Sequence, residues 1–378
     1  MFGLASIVDV YDRDDLYDFL DNARIVELSR LGGAAGFASP ENVSRSTGIS
    51  VRRILRPGVT AVDVGVALGR RLEQESGQLL HEFPLIMLCH SNTDPSACER
   101  LAVDLSERFG IPAGRLLAFN FGCSGFLKLL HEAMIHLVGD DNLSRIVLLN
   151  IETPETWHDS SDRLFCGIVA AGATAMVLER GRGLPVSTVR SEDFPIPDQL
   201  RPNPDPLFRR DTTDGFCFRG QPIHRTVMRM NAEPVFLNGI ELMLAGLRTA
   251  ASLVEVLPGQ RVIVVPHQPS GKLLKALVAA ARVEFPDFEY LNNLKTYGNT
   301  ISSSVPTILS RLPQVLEANG LQPPREGDHI ILLAAGICME EISDHMSAGH
   351  ACLQWVTVSN RETQVEEAVL AHGSVPVV

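Results

Sequence analysis

The chain has 378 residues, 45% of them hydrophobic and 21% charged, which sets one large or two ordinary domains and excludes wholesale disorder. Thirty-three basic against 45 acidic side chains give a formal charge of -12, which excludes nucleic acid as the main ligand while leaving room for a local basic patch around one phosphate. Aromatic residues are 6%, too few for a single-strand stacking platform. The seven cysteines (Cys89, Cys98, Cys123, Cys166, Cys217, Cys338 and Cys352) are widely spaced, with no CxxC pair. That pattern fits neither a disulfide framework nor a zinc site, so no metal is expected and a reducing cytoplasm is. The N-terminus turns acidic within ten residues, unlike a signal peptide, and no stretch of about 18 apolar residues exists. A cytoplasmic protein without a membrane span is expected.

In chain order, LIML at 85–88 is a short apolar run of strand type. Residues 96–109 follow with helical spacing, Ala97, Leu101, Leu105 and Phe109 forming the stripe. Leu116–Phe119 is a second strand, 125–138 a second helix, and IVLL at 146–149 a third strand. The order indicates an α/β protein. Residues 195–229, rich in Pro and charge, lack apolar periodicity and read as a long irregular excursion or cap. Beyond it, VIVV at 262–265 is a strand, 273–283 a helix, Gly298 onward another helix through Ile301, Val305 and Ile308, and IILL at 330–333 a strand.

The second series repeats the first. LIMLCH ends at His90 and VIVVPH at His267; each leads through a polar loop into a helix. Gly122-Cys123 precedes one later helix and Gly298-Asn299 the other, with 33 positions from His90 to Cys123 and 32 from His267 to Asn299. A duplicated α/β half is expected, with equivalent loops meeting near a pseudo-two-fold axis. The division falls into 1–183 and 184–378, the excursion lying in the second half.

Cys123, in FNFGCSGF, follows a strand and precedes a helix, where the dipole and unpaired N–H groups favour a thiolate. A small buried thiol beside a tight turn is the plainer alternative. His267, in PHQPSGK, ends a strand and can donate or accept a proton; a core histidine bonded to a carbonyl is its alternative. Asn299, in YGNTISSSVP, is a candidate donor or simply a helix cap. Three polar residues at related positions of a duplicated fold favour a shared site.

FNFGCSGF, PHQ and YGNTISSSVP together resemble the three active-site motifs of thiolase-fold ketosynthases, nearest to β-ketoacyl-acyl-carrier-protein synthase III. STGISVRR at 46–53, SSDRLFCGIVAAGATAMVLE and GDHIILLAAGI resemble further family segments, so the likeness spans roughly 40 to 356. It implies a thiolase-like fold of two α/β halves layered αβαβα, and a Cys123-His267-Asn299 site. Cys123 would hold an acyl group as a thioester. The backbone N–H of Cys123 and one near Gly336 would take the tetrahedral oxyanion. His267 and Asn299 would stabilise the enolate left when a malonyl thioester loses carbon dioxide, and that enolate would attack the acyl-Cys. No permanently bound cofactor is implied. The substrates would be thioesters of acyl-carrier-protein phosphopantetheine or coenzyme A, and the protein a homodimer contacting itself around 85–104.

The periphery departs from the family. Ser46 stands where an Arg facing coenzyme A is usual, and Asn42 where a Trp stacks on adenine. GDGAGA reads AAGATA, PHQAN reads PHQPS, and the terminal glycine-rich run keeps only Gly336. Coenzyme A recognition should weaken, favouring a carrier-protein thioester or a differently held coenzyme A ester, and the divergent periphery suggests specialised fatty-acid or polyketide metabolism. Lys272, Lys275 and Arg282, and likewise Arg52, Arg53 and Arg56, are candidates to meet a phosphate or an acidic carrier, or are solvated charge runs. His90 reads as structural, His158 as a surface residue, and Glu152 as a polar group near the crevice without an assigned role. Two other functions compete with condensation: acyl transfer to oxygen or nitrogen, with His267 as general base, and a non-catalytic partner subunit.

Overall fold

The computed structural model describes residues 1–33, 35–201, 205–340 and 344–356. Its strands are β1 (Phe2–Asp9), β2 (Tyr17–Asp21), β3 (Val51–Leu55), β4 (Ile86–Cys89), β5 (Leu116–Phe119), β6 (Arg145–Glu152), β7 (Gly172–Arg180), β8 (Leu184–Pro195), β9 (Phe208–Phe216), β10 (Pro222–Met230), β11 (Val262–Pro266), β12 (Glu289–Tyr290), β13 (His329–Ile337) and β14 (His345–Gln354). The helices are α1 (Asn22–Leu28), α2 (Pro40–Thr47), α3 (Ala61–Ser76), α4 (Ser96–Phe109), α5 (Gly125–Gly139), α6 (Arg163–Cys166), α7 (Ala232–Leu253), α8 (Gly271–Glu284), α9 (Leu294–Tyr297), α10 (Ser304–Ser310) and α11 (Leu312–Ala318).

The duplication is written in the strand order. One series runs β5-β4-β6-β7-β1 and the other β12-β11-β13-β14-β8. In each, the strand that ends at a histidine pairs in parallel on both sides. In each, the remaining pairs are antiparallel. The series join where Phe2–Leu4 meets Leu184–Val186, so the halves share only a corner of sheet. The turn between β7 and β8 is where the chain passes from one series to the other.

Layering follows from strand alternation, because successive side chains point to opposite faces. Met87, Cys89, Ile146 and Leu148 of one sheet and Ile263, Val265, Ile330 and Leu332 of the other share a core with α5 and α10. The alternate residues Ile86, Leu88, Val147 and Leu149 face outward onto α3 and α4. Val262, Val264, Ile331 and Leu333 face outward onto α7 and α8. Helices, sheet, helices, sheet, helices is the αβαβα order, and the two middle helices are those that follow Cys123 and Asn299. The one-turn 3-10 segments ahead of them, Gly122–Ser124 and Ile301–Ser303, touch at the centre.

Two expectations change here. The 195–229 stretch is regular in its later part: β9 and β10 form a two-stranded hairpin paired from Phe208–Met230 to Phe216–Pro222. Its strands are Thr-, Arg- and Asp-rich, so the alternation carries no apolar signature, and its order comes from ladder hydrogen bonds and long-range ion pairs. The 85–104 segment does not offer a sheet edge, because β4 within it is covered by β5 and β6; the edge strand is β5. No helix among the described residues is long and apolar enough to cross a membrane.

Candidate active site

Cys123 lies in the 3-10 turn that runs straight into α5. The turn needs glycine at position 122, where φ is +71° and a Cβ would meet the Ile337 carbonyl at 3.0 Å. Gly298, just before Asn299, has φ +70°, so each half uses a left-handed glycine to deliver its polar residue. Gly336 of β13 lies against Cys123: a Cβ there would come 2.5 Å from the Cβ of Cys123 and 3.3 Å from its Sγ.

The electrostatics at Cys123 differ from the thiolate expected at a helix start. Burial pushes its thiol up to about 12, and the nearby Glu152 carboxyl adds to the rise. Desolvation thus favours the thiol over the thiolate at this position. Glu152 ends β6 fully buried; it accepts hydrogen bonds from the Ser91 N–H (3.2 Å), the Ser91 hydroxyl (2.8 Å) and the Ser302 hydroxyl. Burial raises its carboxyl to about 8, with those hydrogen bonds opposing.

His267 follows β11 directly, and its N–H donates to the Leu333 carbonyl at 2.7 Å. Its side chain is buried, Nδ1 has no hydrogen-bond partner within the protein, and burial alone lowers the imidazole to about 3. It is a neutral ring, donor at one nitrogen and acceptor at the other. Asn299 is stapled to the first half: its N–H donates to Ile168 O (2.9 Å) and its carbonyl accepts from Ala170 N (2.9 Å). Its Oδ1 accepts the Ile301 N–H at 2.9 Å, which fixes the amide's direction. Its Nδ2 makes one long contact, 3.4 Å to Pro269 O, so donor capacity remains.

Cys123, His267, Asn299 and Gly336 line one pocket, with about 700 Å³ of empty space including its open mouth. The rest of its wall is mainly apolar, with Ile168, Val169, Met243, Leu273, Ile301 and Met339 among the lining residues. An outer cleft shares Ile168, Phe236 and Leu273 with it and is edged by Ser46, Arg163 and Lys272.

The basic residues separate. Lys272 reaches the outer cleft, whereas Lys275 is exposed one helical turn away and lines neither cavity. Arg52 is fully buried and donates to the Gly167 carbonyl, Asn22 Oδ1 and Thr47 Oγ1, so no phosphate can reach it. Arg53 is also buried, 5.1 Å from the ring centres of Tyr11, Phe19 and Tyr297. Both arginines hold the fold in place rather than facing a ligand.

His158 is a second correction. It is buried in the pocket wall, not on the surface. Its neighbourhood TWHDSSD is polar, and the burial is tertiary: Arg225 of β10 donates to the carbonyls of Glu155, Thr156 and His158 and draws the segment inward. The adjacent Trp157 was the available signal. His90 is buried with Nδ1 2.7 Å from Ile151 O, a satisfied core histidine. Among the described residues, Asp193, Cys338 and Glu340 gather three metal-type ligands, but Lys128 Nζ already sits 2.8 Å from Asp193 and 2.6 Å from Glu340.

Residues 256–340 match the family model for 3-oxoacyl-[acyl-carrier-protein (ACP)] synthase III, C terminal. The chain is 27% identical over 307 residues to a β-ketoacyl-[acyl-carrier-protein] synthase III of Roseiflexus sp., covering 79% of this chain and 87% of that protein. It is 25% identical to one from Cereibacter sphaeroides, covering 88% and 95%. Among solved structures, 3-oxoacyl-[acyl-carrier-protein] synthase III from Aquifex aeolicus superposes with a TM-score of 0.70 at 18% identity, over 94% of this chain and all of that one. The priming β-ketosynthase of the R1128 polyketide pathway gives 0.70 at 20% identity, over 94% and 96%. The relatives and solved structures are matched over both halves, and with the duplicated strand order they show a thiolase-like fold similar to that of the β-ketoacyl-acyl-carrier-protein synthase III proteins.

Proposed function

We propose that the protein is a condensing acyltransferase: it loads an acyl group on Cys123 and extends it with a malonyl-type thioester. The observation that supports this most is the convergence of Cys123, His267 and Asn299 on one largely apolar pocket. In the first step Cys123 Sγ bonds to the thioester carbonyl carbon, the donor's C–S bond breaks, and the thiol proton departs with the donor thiol. The N–H of Cys123 and one near Gly336 would take the developing oxyanion; that Gly336 packs too close to Cys123 to carry a side chain supports this reading.

In the second step the malonyl C–C bond breaks and carbon dioxide leaves. The electron pair becomes an enolate whose oxygen takes hydrogen bonds from the His267 ring N–H and Asn299 Nδ2. Neutral His267 suits this role, because it donates without handing over a proton. The enolate carbon then attacks the acyl carbonyl, the C–S bond to Cys123 breaks, and the departing thiolate takes a proton from solvent. Donors aimed at charge that appears only in the transition state lower the barrier rather than merely tightening binding.

The relatives' names carry an acyl carrier protein, and the same partner is proposed here. With Ser46 and Asn42 in place of charge and an adenine platform, the phosphopantetheine of a carrier protein is the favoured donor, and Lys272 at the outer cleft is placed to meet its phosphate. A two-half division at 183/184 and a homodimer pairing through β5 complete the proposal. Incubation with an acyl thioester and malonyl carrier protein tests it. The reading requires carbon dioxide and a β-ketoacyl product in equal amounts; acyl transfer to an alcohol or amine without carbon dioxide would replace it.

A further inference from the structure

Two buried aromatic residues of the largely apolar acyl pocket carry polar atoms that the protein leaves unpaired. Trp157 and His158 are adjacent in sequence, both buried, and both line the pocket. Trp157 Nε1, His158 Nδ1 and His158 Nε2 find no hydrogen-bond partner in the protein. Their ring centres lie 3.9 Å apart, and Phe165 stacks on His158 at 4.2 Å, so the imidazole is packed against two aromatic rings. The backbone behind them is clamped by Arg225, and Arg229 fixes the following turn through Asp159 (3.2 Å) and Asp162 (2.9 Å). The rings cannot easily swing away to find partners elsewhere.

Leaving buried polar groups unpaired is costly, and a site that does so discriminates strongly in favour of ligands that pair them. Burial keeps His158 neutral, with the positive Arg225 and Arg229 adding to that effect. It therefore offers one donor and one acceptor, and Trp157 offers a donor. A charged headgroup does not suit two neutral rings in an apolar chamber. A neutral oxygen does: a hydroxyl can donate to one ring nitrogen and accept from another.

We propose that Trp157 and His158 select an acyl donor whose chain carries a neutral oxygen substituent, a hydroxyl or an oxo group, and that they are specificity residues of this pocket. The proposal rests on Cys123 being the acyl-loading residue. It deepens that reading by naming the class of acyl group.

The test measures loading rates by intact-protein mass spectrometry with pantetheine thioesters of hexanoate, 3-hydroxyhexanoate and 5-hydroxyhexanoate. At least one hydroxy probe should load about tenfold faster than hexanoate, the size expected of one hydrogen bond to a buried unpaired group. His158→Phe and, separately, Trp157→Phe should bring that ratio close to one, while His158→Gln should retain part of it. If a variant does not fold, the wild-type ratio decides alone. Loading of all three probes at similar rates by the wild type overturns this inference and leaves the acyl-Cys reading intact. Loading of none overturns the proposed function, and this inference with it.

Discussion

His90 and His267 hold the same place in the two halves, each just beyond a central strand flanked by parallel neighbours. Both are buried and both have lowered imidazole pKa values through desolvation. The difference is in what surrounds them. His90 spends Nδ1 on the Ile151 carbonyl and lies outside the pocket, whereas His267 lines the pocket with Nδ1 unpaired. A duplicated scaffold has thus made one histidine structural and left its counterpart available, whereas the cysteine turn and the asparagine turn both reach the pocket. Symmetry supplies positions; incomplete hydrogen bonding marks which of them are free for chemistry.

The sharpest way to break this comparison is at Asn299 and His267. Asn299→Ala should lower condensation by about 10²–10³-fold, as loss of one enolate donor does, while acyl loading changes only a few-fold. His267→Ala should act similarly on condensation. Product formation and adduct formation measured on the same sample separate the steps; equal loss of both would assign Asn299 to the fold. Gly336→Ala comes next. Its Cβ would intrude on Cys123, so loading should fall by roughly 10–100-fold and the melting temperature should fall as well, because the overlap forces the packing to shift.

His90→Leu should leave condensation unaltered but cost about 1–3 kcal/mol in denaturant unfolding, because the Ile151 carbonyl loses its partner. A large rate loss there would dissolve the contrast between the two histidines. The smallest effect is expected at Glu152→Gln. The carboxylate raises the Cys123 thiol and ionises near pH 8, so removing it lowers the thiol pKa. The alkaline rise in alkylation rate of Cys123 by iodoacetamide should move to lower pH, giving a few-fold faster reaction at pH 9.

Acid stability tests the burial of the rings. His158 and His267 are held to about 3 in the fold against about 6.5 unfolded. Their burial as neutral groups therefore favours the fold above pH 6.5, and this contribution declines as pH falls from 6.5 toward 3, where the unfolded chain takes up the extra protons. His158→Phe should flatten that part of the stability profile.

Much of this architecture was legible because it is written in apolar periodicity. The runs 116–119 and 96–109 are strand and helix at those bounds, and the duplicated spacing anticipated the two related sheets. What was illegible depends on tertiary partners. The hairpin of β9 and β10 has no apolar stripe, since its strands are tied by charges to the 155–162 segment. Arg52 and Arg53 look like a surface charge run, yet carbonyls and aromatic rings contributed by distant segments bury them. The 22-residue α7 was within reach, as Met243, Leu244, Leu247 and Ala250 have helical spacing, but it lies beyond the polar stretch that drew the reading to loops. That Cys123, His267 and Asn299 would share one pocket was readable from their motifs; the raised pKa of the Cys123 thiol was not, because desolvation is a property of packing.

The most direct measurement of the central claim is the mass of the intact protein after exposure to an acyl thioester, followed by peptide mapping. One acyl group should appear on the peptide that holds Cys123, and Cys123→Ala should show none although six other cysteines remain. An adduct that persists in that variant, or a wild-type protein that acquires none, would contradict the account.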